Sequence, residues 1–191
     1  MLRELSLHIL DIAENSVQAK AKNIQIEVLE DTINDRLKII IQDDGCGMTR
    51  EKLANLSDPF ITSRSTRKVG LGIPFLKEAA EACNGSLNID STKGKGTRLE
   101  VEFQRSHIDR MPLGDLAGTF LSLLVGYPDV HWIFSYQKDQ KKFYLDDREL
   151  KKELSGIPLS DATILAFLRK TIENGISAVG SDEIFISERG V

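Results

Sequence analysis

The chain has 191 residues, which fits one domain of ordinary size or two small ones. Hydrophobic residues make up 41% of it, so it can bury a core, and this excludes an intrinsically disordered chain. The net charge is −4, with 14 Lys and Arg against 16 Asp and Glu in residues 1–104 and 11 against 13 in residues 105–191. Neither half has the basic surplus of a nucleic-acid-binding domain, so nucleic acid is excluded as the expected partner.

Cysteine use and hydropathy predict a soluble cytoplasmic protein. Cys46 and Cys83 lie in unrelated contexts without metal-ligand spacing, and we expect two reduced thiols. Polar and charged residues interrupt the apolar residues near the N-terminus, which argues against a signal peptide. The most apolar later stretch, residues 116–127, is too short to span a bilayer, so no membrane association is expected.

Residues 2–20 have the period of one amphipathic helix, with an apolar stripe opposite a polar face. Asp11, Asn15 and Gln18 on the polar face follow the spacing i, i+4, i+7, so their side chains project together. Such a face is ordinarily solvated, and other motifs have to decide whether it carries chemistry.

Two strands are predicted next. Residues 24–28 alternate between apolar and polar side chains, and residues 37–42 form an apolar, β-branched run. Asp43 stands where the second strand ends and is followed by Asp44-Gly45-Cys46-Gly47. A carboxylate fixed there could accept a hydrogen bond from an exocyclic amine, while bare glycine backbone would let a flat ring approach closely. The alternative is a simple Gly-rich turn into a helix that Thr49 caps.

A polar, cationic and hydroxyl-rich loop follows at residues 58–69 and leads into Gly70-Leu71-Gly72 at the start of another helix. Glycine backbone at a helix N-terminus exposes N–H groups that suit an anion. Arg64, Arg67 and Lys68 add positive charge beside it. A loop of this length is more often functional than idle, although a mobile solvated loop is the alternative.

Residues 86–90 and 98–103 are predicted strands joined by a Gly-rich turn. The order is then helix, two strands, helix, loop, helix and two strands. This order predicts an α+β fold with helices on one face of a mixed, mostly antiparallel sheet.

In this order the motifs resemble those of the GHKL superfamily of ATP-binding domains, which includes gyrase, heat-shock chaperone, histidine kinase and mismatch-repair ATPases. The matching segments are residues 11–19 for the N-box, 43–47 for the G1 box, 58–63 and 70–73 for the F and G2 boxes, and 94–97 for the G3 turn. Each motif is weak alone and strong in this order. The resemblance covers residues 1–104 and implies the two-layer α/β sandwich of the Bergerat type.

The resemblance implies a Mg-ATP site. Asp43 would receive the adenine amino group, with Gly45 in the same loop and Gly47 and Thr97 close to the base. Asn15 would be the Mg²⁺ ligand, since an amide oxygen suits a hard cation that keeps several waters.

The phosphates would lie under a lid that runs from Thr62 to Lys68. The backbone donors to them would be Gly70, Leu71 and Gly72.

Asp11 is the candidate catalytic residue, at the position where ATPase branches carry Glu and histidine kinases usually carry Asn. It could polarise the attacking water, directly or through a second water, or it could orient Mg²⁺. Glu14 is a weaker candidate base because it projects about 60° around the helix from Asp11. The N-box looks more like the mismatch-repair branch and the other motifs look more like histidine kinases, so both branches stay open.

Residues 105–191 are predicted as a small α+β module that folds separately or docks on the first domain. Its elements are a helix at 115–127, strands at 130–136 and 143–145, and a helix at 161–177. His131, beside the first of these strands, is interpreted as structural.

His107 opens a segment that resembles the phosphoacceptor box of histidine kinases. Asp109 is the nearby acid that could orient the imidazole for attack on a γ-phosphorus. The alternative is a linker histidine. Because only ten residues precede Asp11, we expect no histidine-bearing dimerisation domain before the ATP domain. A kinase would then phosphorylate a partner or residues 105–191.

The leading hypothesis is therefore a histidine-kinase-like signalling enzyme that transfers the γ-phosphate of Mg-ATP to itself or to a protein partner, with a homodimer as one form it could take. The alternatives are an ATP-hydrolysing conformational switch and a nucleotide sensor. Either would bind a partner protein without phosphorylating it.

Overall fold

The computed structural model describes residues 4–56, 72–154, 159 and 161–180. The helices are α1 (Leu5–Gln18), α2 (Arg50–Leu56), α3 (Gly72–Ala82), α4 (Leu116–Gly126), α5 (Asp147–Glu153) and α6 (Ala162–Gly180). The strands are β1 (Asn23–Asp31), β2 (Arg36–Asp43), β3 (Ser86–Thr92), β4 (Gly96–Gln104), β5 (His131–Lys138) and β6 (Lys141–Asp146). In the described part of the chain, every helix is too short or too polar to cross a membrane.

The six strands lie in one sheet in the order β3-β4-β2-β1-β5-β6. Four of the neighbouring pairs are antiparallel, and β1 and β5 are parallel. The mixed, mostly antiparallel sheet confirms the predicted α+β fold class. β1 and β5 are far apart in the chain because parallel neighbours need a crossover connection instead of a hairpin.

One face of this sheet is apolar and the other is polar. Alternate residues of the central strands are buried, as in Ile26 of β1 and Val101 of β4. Helices α3, α1, α4 and α6 contact one another in that order and form the covering layer. On the opposite face, Lys38 makes ion pairs of 2.9 Å with Glu100 and 3.5 Å with Glu102. The fold is thus two layers, with the core between them.

The sheet continues from the first half of the chain into the second. β5 pairs with β1 from Asn23 opposite His131 to Glu30 opposite Lys138. The buried side chains of both halves form one hydrophobic cluster. The division at residues 104 and 105 therefore does not divide the sheet, and whether residues 1–104 fold as a domain of their own stays a prediction.

The predicted elements are present with shifted ends, and α5 is an addition. α5 has seven residues, six of them charged, and it is not predicted from the sequence. Its N-cap is Asp146, whose side chain accepts a hydrogen bond from the Arg148 backbone N–H. α3 ends in a left-handed cap, because Asn84 has a φ of 53° and Gly85 N donates to Ala80 O at 2.8 Å.

Candidate functional site

Asp43 is the last residue of β2, and its carboxylate is held by two protein donors. Oδ2 accepts a hydrogen bond of 2.7 Å from Ser16 Oγ, and Oδ1 accepts one of 2.8 Å from Gly45 N. The residue is 9% exposed. Each carboxylate oxygen has a second lone pair, so this fixed carboxylate can still accept a hydrogen bond from a ligand.

Ser16 is a residue to which the sequence analysis gives no role. It lies on the buried face of α1, next to Asn15, and its Oγ also lies 3.4 Å from Ile12 O. Ser6 and His8 are also polar residues buried on this helix, so its hydroxyl did not single out Ser16 in the sequence. The Ser16–Asp43 bond fixes where the helix with Asn15 lies relative to the end of β2.

The neighbouring acid, Asp44, has a structural role at the start of β1. Its Oδ1 accepts from Lys22 N at 2.7 Å and Asn23 N at 2.9 Å, and its Oδ2 accepts from Asn23 Nδ2. Partial burial raises the pKa of Asp44, but the hydrogen bonds from Asn23 and Lys22 outweigh it and hold the pKa below its ordinary value. Of the two adjacent carboxylates, Asp43 is therefore the one that remains for a ligand.

The loop after Asp43 packs against the turn before β4. Gly47 has a φ of +58°, and a Cβ there would overlap the Thr92 carbonyl oxygen. Gly94 N donates to Cys46 O at 2.8 Å. The two glycine-containing segments that the sequence relates to the G1 and G3 motifs therefore lie together, and glycine is required at position 47.

Thr97 lies directly opposite Asp43 in the β2–β4 register. The Ser91 hydroxyl lies 2.9 Å from Thr97 Oγ1 and accepts from Met48 N at 2.9 Å. Gly96 has a φ of +94°, and a Cβ there would overlap the Asp43 carbonyl oxygen. The structure thus brings Asp43, Gly45, Gly47 and Thr97 to one end of the sheet, with Ser91 as a further residue that sequence reasoning missed.

Asp11 lies against the start of α3. A Cβ on Gly72, the first residue of that helix, would overlap the Asp11 carboxylate. Glu14 points elsewhere, because its Oε1 accepts from Tyr127 OH at 3.3 Å, at the end of α4. Of the two carboxylates considered as a base, Asp11 is therefore the one that faces the predicted phosphate-binding segment.

Four predicted contacts of the phosphates lie outside the described residues: Thr62, Lys68, Gly70 and Leu71. Their roles stay predictions. Gly72 is described, and its lack of a Cβ lets the N-terminus of α3 approach Asp11. Asn15 is half-buried one helical turn after Asp11.

His107 lies at the opposite end of the sheet. Thr97 pairs with Asp43 at one end of β4, and Gln104 pairs with Arg36 at the other, roughly 23 Å away at the rise of a strand. His107 follows, with its backbone N donating to Gln104 O at 3.2 Å. The structure does not bring His107 together with the other predicted site residues.

The acid predicted to orient His107 lies next to it. Asp109 N donates to His107 Nδ1 at 3.2 Å, and an Asp109 carboxylate oxygen lies 3.9 Å from the same nitrogen. The carboxylate is beyond hydrogen-bond distance and Nδ1 accepts the backbone N–H, so the orienting role of Asp109 stays a prediction.

Comparison with known proteins agrees with the family resemblance of the motifs in the first half of the chain. Residues 2–107 match the family described as histidine kinase-, DNA gyrase B-, and HSP90-like ATPase. The non-motile and phage-resistance protein of Caulobacter vibrioides is 29% identical over 111 residues, which cover 53% of this chain and 13% of that protein. A probable C4-dicarboxylate sensor kinase of Bacillus subtilis is 31% identical over 88 residues, which cover 46% of this chain and 16% of that protein.

Among solved structures, the N-terminal domain of a DNA repair protein aligns with a TM-score of 0.53 and 14% identity. The alignment covers 76% of this chain and 53% of that one, so the likeness in fold extends beyond residue 107. The chain spans less than a fifth of the length of the two relatives above, at 13% and 16%.

Proposed function

Because the chain belongs to the histidine kinase-, DNA gyrase B-, and HSP90-like ATPase family, we propose that it binds Mg-ATP and transfers the γ-phosphate to a protein histidine. Proposed nucleotide binding rests on the Asp43 carboxylate, which is buried at a strand end and accepts hydrogen bonds from Ser16 and Gly45. The transfer part is supported by the sensor-kinase relative.

The adenine ring would lie at the end of β2, beside the loop that contains Gly47. Its exocyclic amine would donate to the free lone pair of Asp43, as a charge-assisted hydrogen bond. Thr97, opposite Asp43, and its neighbour Ser91 offer hydroxyl groups at the same end of the sheet. This set of groups favours a flat, amine-bearing base over a sugar or a simple anion.

Mg²⁺ would be held by the Asn15 amide oxygen, with the phosphates between α1 and the N-terminus of α3. The positive end of the α3 dipole favours the negative phosphates. The predicted lid from Thr62 to Lys68 would cover them. When bound, Mg²⁺ would offset negative charge on the phosphate oxygens. Asp11 would help to orient Mg²⁺, which leaves the position in line with the γ-phosphorus open for the acceptor imidazole.

The acceptor of the phosphoryl group would be on a second molecule. His107 follows the end of β4 that lies roughly 23 Å from Asp43. The 11-residue helix α3 ends beside Gln104, so Gly72 at its start lies about 16 Å from the same end of the sheet, too far for direct attack within one chain. His107 could receive phosphate from the site of another copy, which requires an encounter of two chains, or the acceptor could be a histidine of a partner protein. The resemblance of the segment that begins at His107 to a phosphoacceptor box supports the first arrangement.

The separation of His107 from the nucleotide site also favours a second candidate function, an ATP-hydrolysing switch. In that case Asp11 would direct water to the γ-phosphate, and the nucleotide state would change a surface that a partner protein reads. This would need no acceptor histidine.

Incubation of the full chain with γ-labelled ATP and Mg²⁺ tests the proposal. Label on the protein that is acid-labile and base-stable, and whose rate of formation rises with the square of the protein concentration, is the expected result. Loss of this label in His107→Ala identifies the acceptor, and Asp43→Ala is the nucleotide-binding control. Release of free phosphate without labelled protein would contradict phosphotransfer to His107 and support the switch.

A further inference from the structure

His131, Asp146 and Asp147 form a cluster outside the nucleotide site. His131 begins β5, Asp146 ends β6 and Asp147 begins α5. The antiparallel register places Asp146 opposite Ile133, two residues after His131 on the same face. One ligand atom from each residue lies within 4.8 Å of the others. Three residues from three elements therefore point to one place.

The neighbours of His131 show which ring nitrogen donates a hydrogen bond. Asn23 Nδ2 donates to Asp44 and Asn23 Oδ1 accepts from Arg148 Nη2 at 3.0 Å, which fixes the orientation of the Asn23 amide. His131 Nδ1 lies 2.9 Å from that same Oδ1, an atom that can only accept. Nδ1 therefore carries a proton. In the neutral imidazole, Nε2 then presents a lone pair.

That lone pair faces a carboxylate. His131 Nε2 lies 2.8 Å from Asp146 Oδ1. With a neutral imidazole both atoms are hydrogen-bond acceptors, so this contact is favourable only if a cation or a second ring proton lies between them. Asp146 is rigidly placed, because the same oxygen accepts from Arg148 N at 2.9 Å as the N-cap of α5. The pair therefore presents a fixed nitrogen and a fixed oxygen to a cation.

Asp147 supplies an independent observation. Its side chain is 0% exposed, and no hydrogen-bond donor of the described residues satisfies either carboxylate oxygen. Oδ2 lies 2.5 Å from Lys151 Nζ, an ion pair without hydrogen-bond geometry. Lys151 Nζ donates its hydrogen bonds to the carbonyls of Pro128 and Val130 instead. Oδ1 lies 3.9 Å from His131 Nε2. A buried carboxylate oxygen without a donor is costly, and a cation at this position would satisfy it.

We propose that His131 Nε2, Asp146 Oδ1 and Asp147 Oδ1 bind a divalent transition-metal ion, with Zn²⁺ as the best match. An imidazole with two carboxylates suits Zn²⁺ better than the all-oxygen preference of Mg²⁺ or Ca²⁺. Three protein ligands leave a fourth tetrahedral position for water. Asn23 acts as the outer partner, accepting the second ring N–H and so fixing the ring for metal binding.

The test uses the nucleotide-free full chain after chelator treatment. Calorimetric titration with Zn²⁺ is expected to give one ion per chain, and Co²⁺ is expected to give the visible absorption of a low-symmetry, four- or five-coordinate site. His131→Gln and Asp146→Asn should each weaken Zn²⁺ binding by at least about tenfold. Because Asp146 is partly exposed and His131 is not in the hydrophobic cluster, circular dichroism is expected to show both variants folded.

Two controls separate this site from others. Asp129→Asn removes one carboxylate from an exposed position near the start of β5, and His107→Ala removes a distant imidazole. Both should bind Zn²⁺ like the unmodified chain. Absence of stoichiometric Zn²⁺ binding, or unchanged binding in both His131→Gln and Asp146→Asn, would overturn the proposal and identify His131 as an imidazolium paired with Asp146.

Discussion

Ser16 Oγ on α1 donates a 2.7 Å hydrogen bond to Asp43 Oδ2 at the end of β2, and both residues are buried. The bond joins the helix that carries Asn15 to the strand that carries the carboxylate proposed to bind the base. The carboxylate is thus oriented before any ligand arrives, which lowers the ordering cost of binding.

Replacing Ser16 with Ala should weaken ATP binding by about 2- to 13-fold, because loss of one ordinary hydrogen bond costs about 0.5–1.5 kcal/mol. Titration with ATP in the presence of Mg²⁺ measures this. Ser122→Ala is the matched control, since Ser122 Oγ makes only a local helical bond of 2.7 Å to Gly118 O on the exposed side of α4. Equal affinity in the two variants would show that Ser16 does not support the site.

Replacing Asp43 with Ala should weaken ATP binding by about 10- to 150-fold, the range expected for a hydrogen bond to a charged group of about 1.5–3 kcal/mol. The exposed strand residue Asp90 provides the control, and Asp90→Ala should bind ATP as the unmodified chain does. If Asp43→Ala retained full affinity in the same titration, the adenine assignment would be wrong.

Gly47→Ala and Gly94→Ala separate steric overlap from backbone conformation. Both glycines have positive φ, +58° and +79°. A Cβ at Gly47 would overlap the Thr92 carbonyl, whereas a Cβ at Gly94 would meet no described atom within 4 Å. We expect Gly94→Ala to cost about 1 kcal/mol, from the left-handed conformation alone. Gly47→Ala should cost clearly more, and urea unfolding measures both; equal costs would contradict the described packing.

Asp11→Asn should lower ATP hydrolysis by about 10²- to 10⁴-fold, the usual contribution of a positioned general base, with ATP affinity changed only a few-fold. Glu14→Gln is the control, because Glu14 faces Tyr127 and not α3. Hydrolysis is measured as phosphate release; label transfer to protein should be retained, because histidine kinases usually carry Asn at this position. A raised Mg²⁺ requirement with little loss of maximal turnover would instead identify Asp11 as a residue that orients Mg²⁺.

Acid should destabilise the protein through His8. Burial lowers the pKa of His8 below 6.5, with the Asp11 carboxylate opposing this, and its Nδ1 has no partner among the described residues. The unfolded chain therefore binds this proton more readily, so stability is complete above pH 6.5 and falls as the pH drops from 6.5 toward the lower folded-state pKa. The slope is at most about 1.4 kcal/mol per pH unit.

Unfolding of His8→Gln at pH 7.5 and 5.5 checks this, since the variant should lose less stability across that interval than the unmodified chain. His107→Gln, which removes an imidazole from a half-buried position after β4, is the matched control. An unchanged pH dependence in His8→Gln would assign the acid sensitivity to other groups.

The parts of the fold with a strong local pattern were predictable from the sequence. The alternation along β1 and the apolar run of β2 identified both strands, and the break at Asp43 identified the edge of the site. Ser16 was not identified, because its bond to Asp43 joins residues 27 positions apart, and one serine on a helix carries no such information. α5 was not identified because its charged sequence has no apolar period.

The position of His107 could not be inferred from its motif either. Only the β2–β4 register shows that His107 follows the end of β4 that lies farther from Asp43. The parallel pairing of β1 with β5 likewise has no local signal, because it depends on the crossover of the chain between them.

That parallel pairing has a consequence for how the chain folds. Hairpins β1–β2, β3–β4 and β5–β6 close short loops, whereas pairing Asn23 with His131 closes a loop of more than a hundred residues. Closing so long a loop costs more chain entropy, so this contact is expected to form slowly and late in folding. We therefore expect β5 and β6 to join the sheet last, and mutations in the β1–β5 contact to change the unfolding rate more than the folding rate.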